Sequence, residues 1–477
     1  LAATFTFATV DDYLAARAGT APKSWTGFSQ TIGEPTFDMS NTLLSWFVQD
    51  DWKVTPDFKL LYGVRYDLYM YPDGIANAPF AYSQSFNRDA NNFAPRAGMA
   101  WTLGADKRTV LRASTGLMYD QPLLAIIEQS YANDGNPQRV TVSLTPGSPG
   151  APDFPSTLSD LPNGYSIALS NRTIFAPAPD FVTGRTWQNS VQIERAFLDK
   201  YTASIGVIYN RGYDLPVIND INLINPTGFL ADGRGIYSSA VNANTRMDPR
   251  FNRINVVESV GDSTYKALTL GFGQQWSGGI QYDLNYTFGK GIDNAVMTST
   301  LSVQGDDGRS DPQDLERDRG PNALDTRHSF NGSIVANPHV NRTGVLGAVL
   351  NNNQVGVVLQ FNSGLPFNVR SNRNLNNDGT GSDRPLFVGR NSVYLPARWN
   401  VDMRYSRFVP LRGSQRLEVL AEFKNLFNIE QTSAVNRVIT VDTAGNPLVA
   451  IPADGSGFTP TSGYEQRKFQ LGFKYYF

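Results

Sequence analysis

An all-β fold, a transmembrane antiparallel β-barrel, is what this sequence predicts, and three observations predict it. Apolar residues recur at every second position through many segments. Short turns alternate strictly with long polar loops. No apolar run approaches the roughly 20 residues a spanning helix needs, the longest being residues 123–127. Barrel strands need only alternate residues to be apolar, so the third observation leaves the barrel open while it removes the helical bundle.

The alternation is clearest in four places. Residues 58–68 set Phe58, Leu60, Tyr62, Val64, Tyr66 and Leu68 against Lys59, Leu61, Gly63, Arg65 and Asp67. Residues 279–289 set Ile280, Tyr282, Leu284, Tyr286 and Phe288 against Gln281, Asp283, Asn285, Thr287 and Gly289. In 415–427, Leu417, Val419, Ala421, Phe423 and Phe427 oppose Arg416, Glu418, Glu422 and Lys424, and the final strand sets Phe469, Leu471, Phe473, Tyr475 and Phe477 against Lys468, Gln470, Gly472, Lys474 and Tyr476. A sheet needs this pattern when one face meets an apolar medium and the other meets water.

Taken in order, such segments number about 14. They fall near 2–9, 43–53, 58–70, 93–103, 108–119, 186–197, 200–211, 264–277, 279–290, 326–337, 352–369, 398–408, 415–428 and 464–477. Turns at 55–57, 104–106, 198–200 and 277–279 alternate with long loops near 71–92, 120–185, 212–263, 291–325, 370–397 and 429–463. Compact soluble domains rarely carry loops of this length, whereas outer-membrane barrels pair short periplasmic turns with long outward loops. With Phe477 on the periplasmic side, every short connection falls there and every long loop outside; 338–351 is a wide turn. The chain opens as if mid-strand, and Thr9 followed by Asp12 reads as a helix start with an acid in the first turn. No signal peptide is legible.

Composition narrows function. Lys plus Arg number 41 and Asp plus Glu 43, a net charge of −2, so the basic excess of a nucleic-acid binder is missing. There are no cysteines, which excludes disulfide scaffolds and thiolate chemistry. Trp52, Trp101, Trp187, Trp276 and Trp399 lie at or near predicted strand ends, as interfacial aromatics should. Arg65, Asp67, Asp283, Asp402, Arg404, Glu418, Glu422 and Lys424 are expected to face a wet lumen or a plug within it. A soluble propeller would show a repeat of about 40–50 residues, and none is visible.

These residues resemble a family. The last strand, ending on Phe477, is similar to the terminal strand of bacterial outer-membrane proteins that the barrel assembly machinery recognises. Residues 416–428, closing on Asn425-Leu426-Phe427-Asn428, resemble the penultimate strand of TonB-dependent outer-membrane receptors, and residues 45–66 a hairpin common among them. Asp325-Thr326-Arg327-His328-Ser329-Phe330 and the stretch from Asn374 through Asp383-Arg384-Pro385 to Ser392 look like the Oar-like branch. The resemblance implies a barrel of about 22 strands, of which about 14 are here, so that residues 1–477 form a single barrel domain, the C-terminal part of a longer receptor. A plug and a TonB-contacting segment are not visible. It further implies the bacterial outer membrane, contact with its lipid, TonB coupling through a plug, and binding of a large scarce solute on the outer loops. A passive porin or structural surface barrel is the alternative, and a surface-loop hydrolase a second.

Site chemistry is thin. Trp25, Phe28, Phe154, Tyr165 and Tyr237 on outward loops are candidates to stack on a solute, although packing of a long loop against itself is the commoner use. Residues 306–319, from Asp306 and Asp307 to Arg319, alternate acids and bases as in a loop held by its own ion pairs. His328 has no second histidine nearby for a metal. Asn374, Asn376 and Asp378 have the spacing of a calcium loop with Gly379 in sixth place, but Pro385 replaces the twelfth-position Glu and only Asp383 is close, so a tight Asx-rich turn competes with calcium. No nucleophile elbow, paired-histidine motif or phosphate loop is present, and no enzyme or other cofactor is expected.

Overall fold

A computed structural model describes residues 3–33, 39–121, 124–133, 139–162, 172–295, 309–339, 344–345, 347, 351–379 and 383–477. Thirteen strands follow one another, each antiparallel to the next: Thr42–Thr55, Phe58–Met70, Asn92–Leu103, Thr109–Tyr119, Arg185–Phe197, Tyr201–Asp220, Arg253–Ser277, Ile280–Asp293, His328–Ala336, Asn353–Asn362, Arg398–Pro410, Arg416–Lys424 and Lys468–Tyr476. Each step in the sheet is a step in sequence, as an up-and-down wall requires. The two outermost strands, Thr42–Thr55 and Lys468–Tyr476, each have one neighbour among the described residues, and they run in the same direction.

Local chemistry sets the turns. Gly278 and Gly279 both take positive φ, +61° and +80°, and join strands through two residues. That backbone matches the twist of the strands it links, and glycine reaches it without a Cβ clash. Leu198 and Asp199 hold positive φ in the 198–200 turn, and Gly104 and Lys107 do so in the 104–108 turn. The short connections gather at one end of the sheet, together with the wider one between Ala336 and Asn353, and the remaining long ones at the other.

Cross-strand register then fixes the faces. Leu284 pairs with Gly332 and Phe272, and Asn285 with Gly271 and Asn331. Carried strand by strand, one face reads Val48, Val64, Val191, Ile205, Val207, Leu270, Leu284, Phe361, Phe423 and Phe473, and the other is polar. Many of the apolar side chains are exposed, Val48 at 76% and Phe473 at 70% among them. A belt of large exposed apolar side chains around a sheet marks a surface built for hydrocarbon. Trp52, Trp101 and Trp276 stand within three residues of the short-turn end, and Trp187 and Trp399 within three of the long-loop end.

Three expectations are corrected. The first predicted wall strand lies elsewhere. Ala3–Thr6 pairs with Gly27–Gly33, which pairs with Arg139–Leu144, in a separate three-stranded sheet on the long-loop side. The wall therefore holds thirteen strands among the described residues rather than about 14. Next, Tyr201–Asp220 and Arg253–Ser277 run far past the predicted ends and shorten the loop between them to residues 221–252. Their extension is covered by Thr173–Pro177, added in parallel, and by a core of Phe175, Phe181, Phe251, Ile254, Val256 and Val257. Finally, residues 309–319 are held only in part by their own ion pairs: Arg317–Asp311, Arg317–Asp314 and Arg319–Glu316 are internal, while Arg309, Arg319 and Asp318 also reach Glu258, Asp262 and Arg384. The helix start did form: Val10–Arg17 is capped by Thr9, whose Oγ1 accepts from Asp12 N at 3.1 Å while the Asp12 carboxylate accepts from Thr9 N at 3.1 Å.

Candidate functional site

The polar face of the wall carries the charged residues singled out in the sequence. Register places Arg65 and Asp67 on the face opposite Val64, and Asp283 on the face opposite Leu284. Asp402, Arg404, Glu418, Glu422 and Lys424 lie on that same face three and four strands further on. Five of them form two networks. Arg65 Nε donates to both Asp67 oxygens at 3.0 and 2.9 Å, and Ser45 Oγ donates to Asp67 at 2.6 Å. Arg404 Nη2 donates to Glu418 Oε1 at 2.9 Å, joined there by Ser406 Oγ at 2.7 Å, while Tyr476 OH reaches Oε2 at 2.6 Å and Arg404 Nη1 lies 3.4 Å from Glu422. Asp402 accepts from Asn425 N at 2.9 Å, and Asp283 from Asn285 Nδ2. Lys424 stands opposite Lys468 across the strand pair.

Above the wall the loops are joined by buried ion pairs. Arg390 binds Asp293, Arg384 Nη1 lies 2.7 Å from Asp318 Oδ1, and Arg234 Nη1 lies 3.7 Å from Asp383 Oδ1, all six side chains being nearly inaccessible. Arg384 Nη2 also donates to Ser310 Oγ at 2.8 Å and to the Arg317 carbonyl at 3.0 Å. Loop 221–252 meets loop 363–397 where Tyr237 N donates to the Asn376 carbonyl at 2.8 Å and Asn377 Nδ2 to the Tyr237 carbonyl at 2.8 Å. The last long loop joins through Leu386 N, which donates to the Gly445 carbonyl at 3.0 Å, and through the pairing of Ser371 with Ile439. Four loops thus form one connected cover.

Burial leaves its mark on the ionisable groups there. Desolvation and the neighbouring Asp378 charge push the Asp383 carboxyl up to about 6, against the pull of Arg234 and of the Leu375 and Asn376 amides. Burial lowers the Arg309 guanidinium, countered by Glu258 and Asp318. Burial and Asp311 raise the Tyr237 phenol. A buried charge without such partners would cost several kcal/mol, so each pair holds its loops together chiefly because separating it strands both members.

The aromatic candidates do not converge on an open site. Trp25 and Phe28, 1% and 2% exposed, pack with Ile32, Val142 and Leu144 in the core of the small sheet. Phe154 is half-buried and makes edge contacts with Phe5, Phe7 and Tyr13, ring centroids 5.2–5.8 Å apart. Tyr237, 2% exposed, belongs to the ion-pair cover. Trp25, Phe28 and Tyr237 are therefore packing residues with no face free to stack on a solute. Tyr165 lies outside the described residues, as do Asp306 and Asp307.

The Asx-rich loop is a turn. Asp383 accepts from the backbone N–H of Leu375 and, at 3.1 Å, of Asn376, while Asn376 Oδ1 accepts from Asp378 N at 3.1 Å. Asn374 heads this turn, and Gly379 takes φ +81° within it. Asn376, Asp378 and Asp383 are thus engaged within the turn, whereas Asn374 Oδ1 is buried with no hydrogen-bond partner among the described residues. Among the described residues no three acidic or histidine side chains converge to hold a metal ion; the seventh and ninth loop positions lie outside them. His328 Nδ1 is bonded to Tyr286 OH at 2.7 Å, and its ring stacks on Tyr286 and lies tilted against Phe288.

Sequence reading missed the cover itself. Asp383, Arg384 and Arg390 stood out as motif positions, but their partners Arg234 and Asp318 lie in other loops and Asp293 at a strand end, and no local spacing links them.

Comparison with known proteins accords with this architecture. A family model described as outer membrane beta barrel domain matches residues 4–389. No curated protein matches the sequence. Among solved structures, the chain is similar to the outer membrane transporter YddB from Escherichia coli, with 13% identity, coverage of 90% of this chain and 45% of that one, and a TM-score of 0.48. The FrpB iron transporter from Neisseria meningitidis gives 11%, 92%, 46% and 0.48. A mutant ferric enterobactin receptor, PfeA, from Pseudomonas aeruginosa in complex with enterobactin gives 12%, 94%, 50% and 0.49. The chain spans half the length of these structures or less.

Proposed function

Because this chain belongs to the outer membrane beta barrel domain family, and so lies in the bacterial outer membrane, we propose that it is the barrel portion of a TonB-dependent transporter. In this reading its outer loops bind a large scarce solute, which passes inward when a plug in the lumen is displaced with energy from TonB. The observation that carries the reading is the cover: three long loops joined by buried Asp–Arg pairs and a fourth joined to them by backbone hydrogen bonds, above a wall whose inner face is charged and polar. A passive pore gains nothing from that investment, whereas a receptor needs a pre-shaped outer surface, since ordering loops only on binding would cost affinity.

Completion of the wall follows the same reading. The outermost strands run parallel to each other, so antiparallel closure takes an odd number of further strands. The difference between about 22 strands and the thirteen present, about 9, is odd.

The test is solute depletion. Cells carrying or lacking the gene are grown in medium of defined composition, with and without a protonophore, and the medium is profiled. The reading expects at least one solute above porin size to be consumed only when the gene is present, and its consumption to stop with the protonophore. Gene-dependent uptake that ignores the protonophore replaces this reading with a passive pore.

A further inference from the structure

Lys266 and Lys290 stand directly opposite each other on neighbouring strands. Both share the apolar face of the wall with Leu268, Leu270, Leu284, Tyr286 and Phe288, and both are exposed. Like charges directly opposite across an antiparallel pair repel, and here no carboxylate relieves them: neither lysine forms an ion pair among the described residues. Lys266 lies 5.7 Å from the centre of the Tyr209 ring, its cross-strand partner on the other side. Arg211, two residues beyond Tyr209 on the same face, is already matched, with Thr264 Oγ1 at 2.7 Å and Asp262 at 3.4 Å. The uncompensated charge therefore belongs to the two lysines.

Their height on the wall decides what meets them. Ile280 begins the Lys290 strand at the short-turn end, ten residues below by the numbering. At about 3.4 Å per residue and a tilt near 40°, ten residues rise roughly 26 Å, close to the thickness of the apolar band of an outer-membrane barrel. Tyr286, Phe288 and His328 form an aromatic girdle just below, with Tyr286 OH bonded to His328 Nδ1 at 2.7 Å, and Tyr209 stands level with Lys266. Just above such a girdle lie the head groups of the outer leaflet.

We propose that Lys266 and Lys290 form a binding site for a phosphorylated lipid of the outer leaflet. One phosphate, with two or more anionic oxygens, accepts from both ammonium groups and turns their repulsion into a bridge, while the acyl chains lie along Leu268, Leu270 and Phe288. The site is independent of any solute the loops take, and depends only on the wall and its orientation.

The experiment uses the full chain folded in neutral maltoside micelles and titrated with phosphatidic acid or phosphatidylcholine, with retained lipid read by native mass spectrometry. Preferential retention of phosphatidic acid is expected. The double change Lys266→Gln, Lys290→Gln should weaken it about tenfold or more, leaving phosphatidylcholine unaffected, and the Lys266→Arg, Lys290→Arg pair should keep it. Lys53→Gln, on the inner face, should change nothing. If the Gln pair fails to run as a folded species on unheated gels, Lys290→Gln alone should weaken retention about threefold. Equal retention of the two lipids, or a Gln variant indistinguishable from the native chain, overturns the site. Displacement of phosphatidic acid by equimolar inorganic phosphate would show a free-phosphate site and equally overturn the lipid assignment.

Discussion

Arg384 Nη1 lies 2.7 Å from Asp318 Oδ1, with 8% and 0% of the two side chains exposed, and this contact joins the loop before His328 to the loop after Asn362. Removing one member of a buried pair leaves the other charged and unpaired, at a cost of about 3–5 kcal/mol. Arg384→Met is therefore expected to open the cover locally. Hydrogen exchange should speed up in residues 309–321 and 383–391, while the wall strands keep their protection. Asp318→Asn with Arg384→Met should recover part of the loss, because both charges are then gone. Unchanged exchange in the single variant would show that the pair contributes nothing to loop order.

The Asp383 carboxyl titrates in the opposite sense to a typical paired aspartate. Its folded value is pushed up to about 6, above the ordinary 3.8. Between those values the folded loop holds a proton that the opened loop releases, so stability is greatest at the acid side of this window and falls as pH rises through 6. A shift of about two units corresponds to roughly 3 kcal/mol. Exchange at the Leu375 and Asn376 amides, corrected for its intrinsic pH dependence, should show protection declining from about pH 4 to pH 7. Asp383→Asn should flatten that profile, and a native profile already flat would contradict the assignment.

How much of this was legible beforehand depends on which forces are local. Wall faces were readable because Leu284 and Asn285 differ in sign of hydrophobicity at adjacent positions, and period-two geometry sends adjacent residues to opposite sides. The same rule misassigned the first strand. Phe5 and Phe7 alternate as a lipid-facing strand would, but alternation reports only that one side is apolar, and here that side is the Trp25–Phe154 core. The extension of Arg253–Ser277 was missed for the converse reason. Val256 and Val257 are both fully buried, so alternation stops where a second layer covers the sheet. The loop cover was unreadable because Arg234 and Asp383 meet only after the chain has folded.

The wall assignment itself predicts an asymmetry between neighbours. Leu284 sits about halfway between the short turn and Lys290, on the apolar face, and Leu284→Arg should cost about 2–4 kcal/mol in the folding free energy measured by urea titration in lipid vesicles. Asn285→Arg, pointing to the polar face between Gly271 and Asn331, should change it little. Comparable costs at the two positions would mean the faces are reversed or both dry.

Phe477 separates folding from delivery. Its side chain is 94% exposed and its ring contact is with Tyr475, centroids 6.1 Å apart, so it contributes almost nothing to packing within the chain. Deleting it should leave refolding into detergent micelles, and the heat-modifiable gel shift that reports it, unchanged. If the terminal aromatic is the signal that the barrel assembly machinery reads, the same deletion should sharply reduce the folded fraction recovered from outer membranes of expressing cells. Loss of refolding in micelles would instead make Phe477 a structural residue, and full recovery from cells would remove its role in assembly.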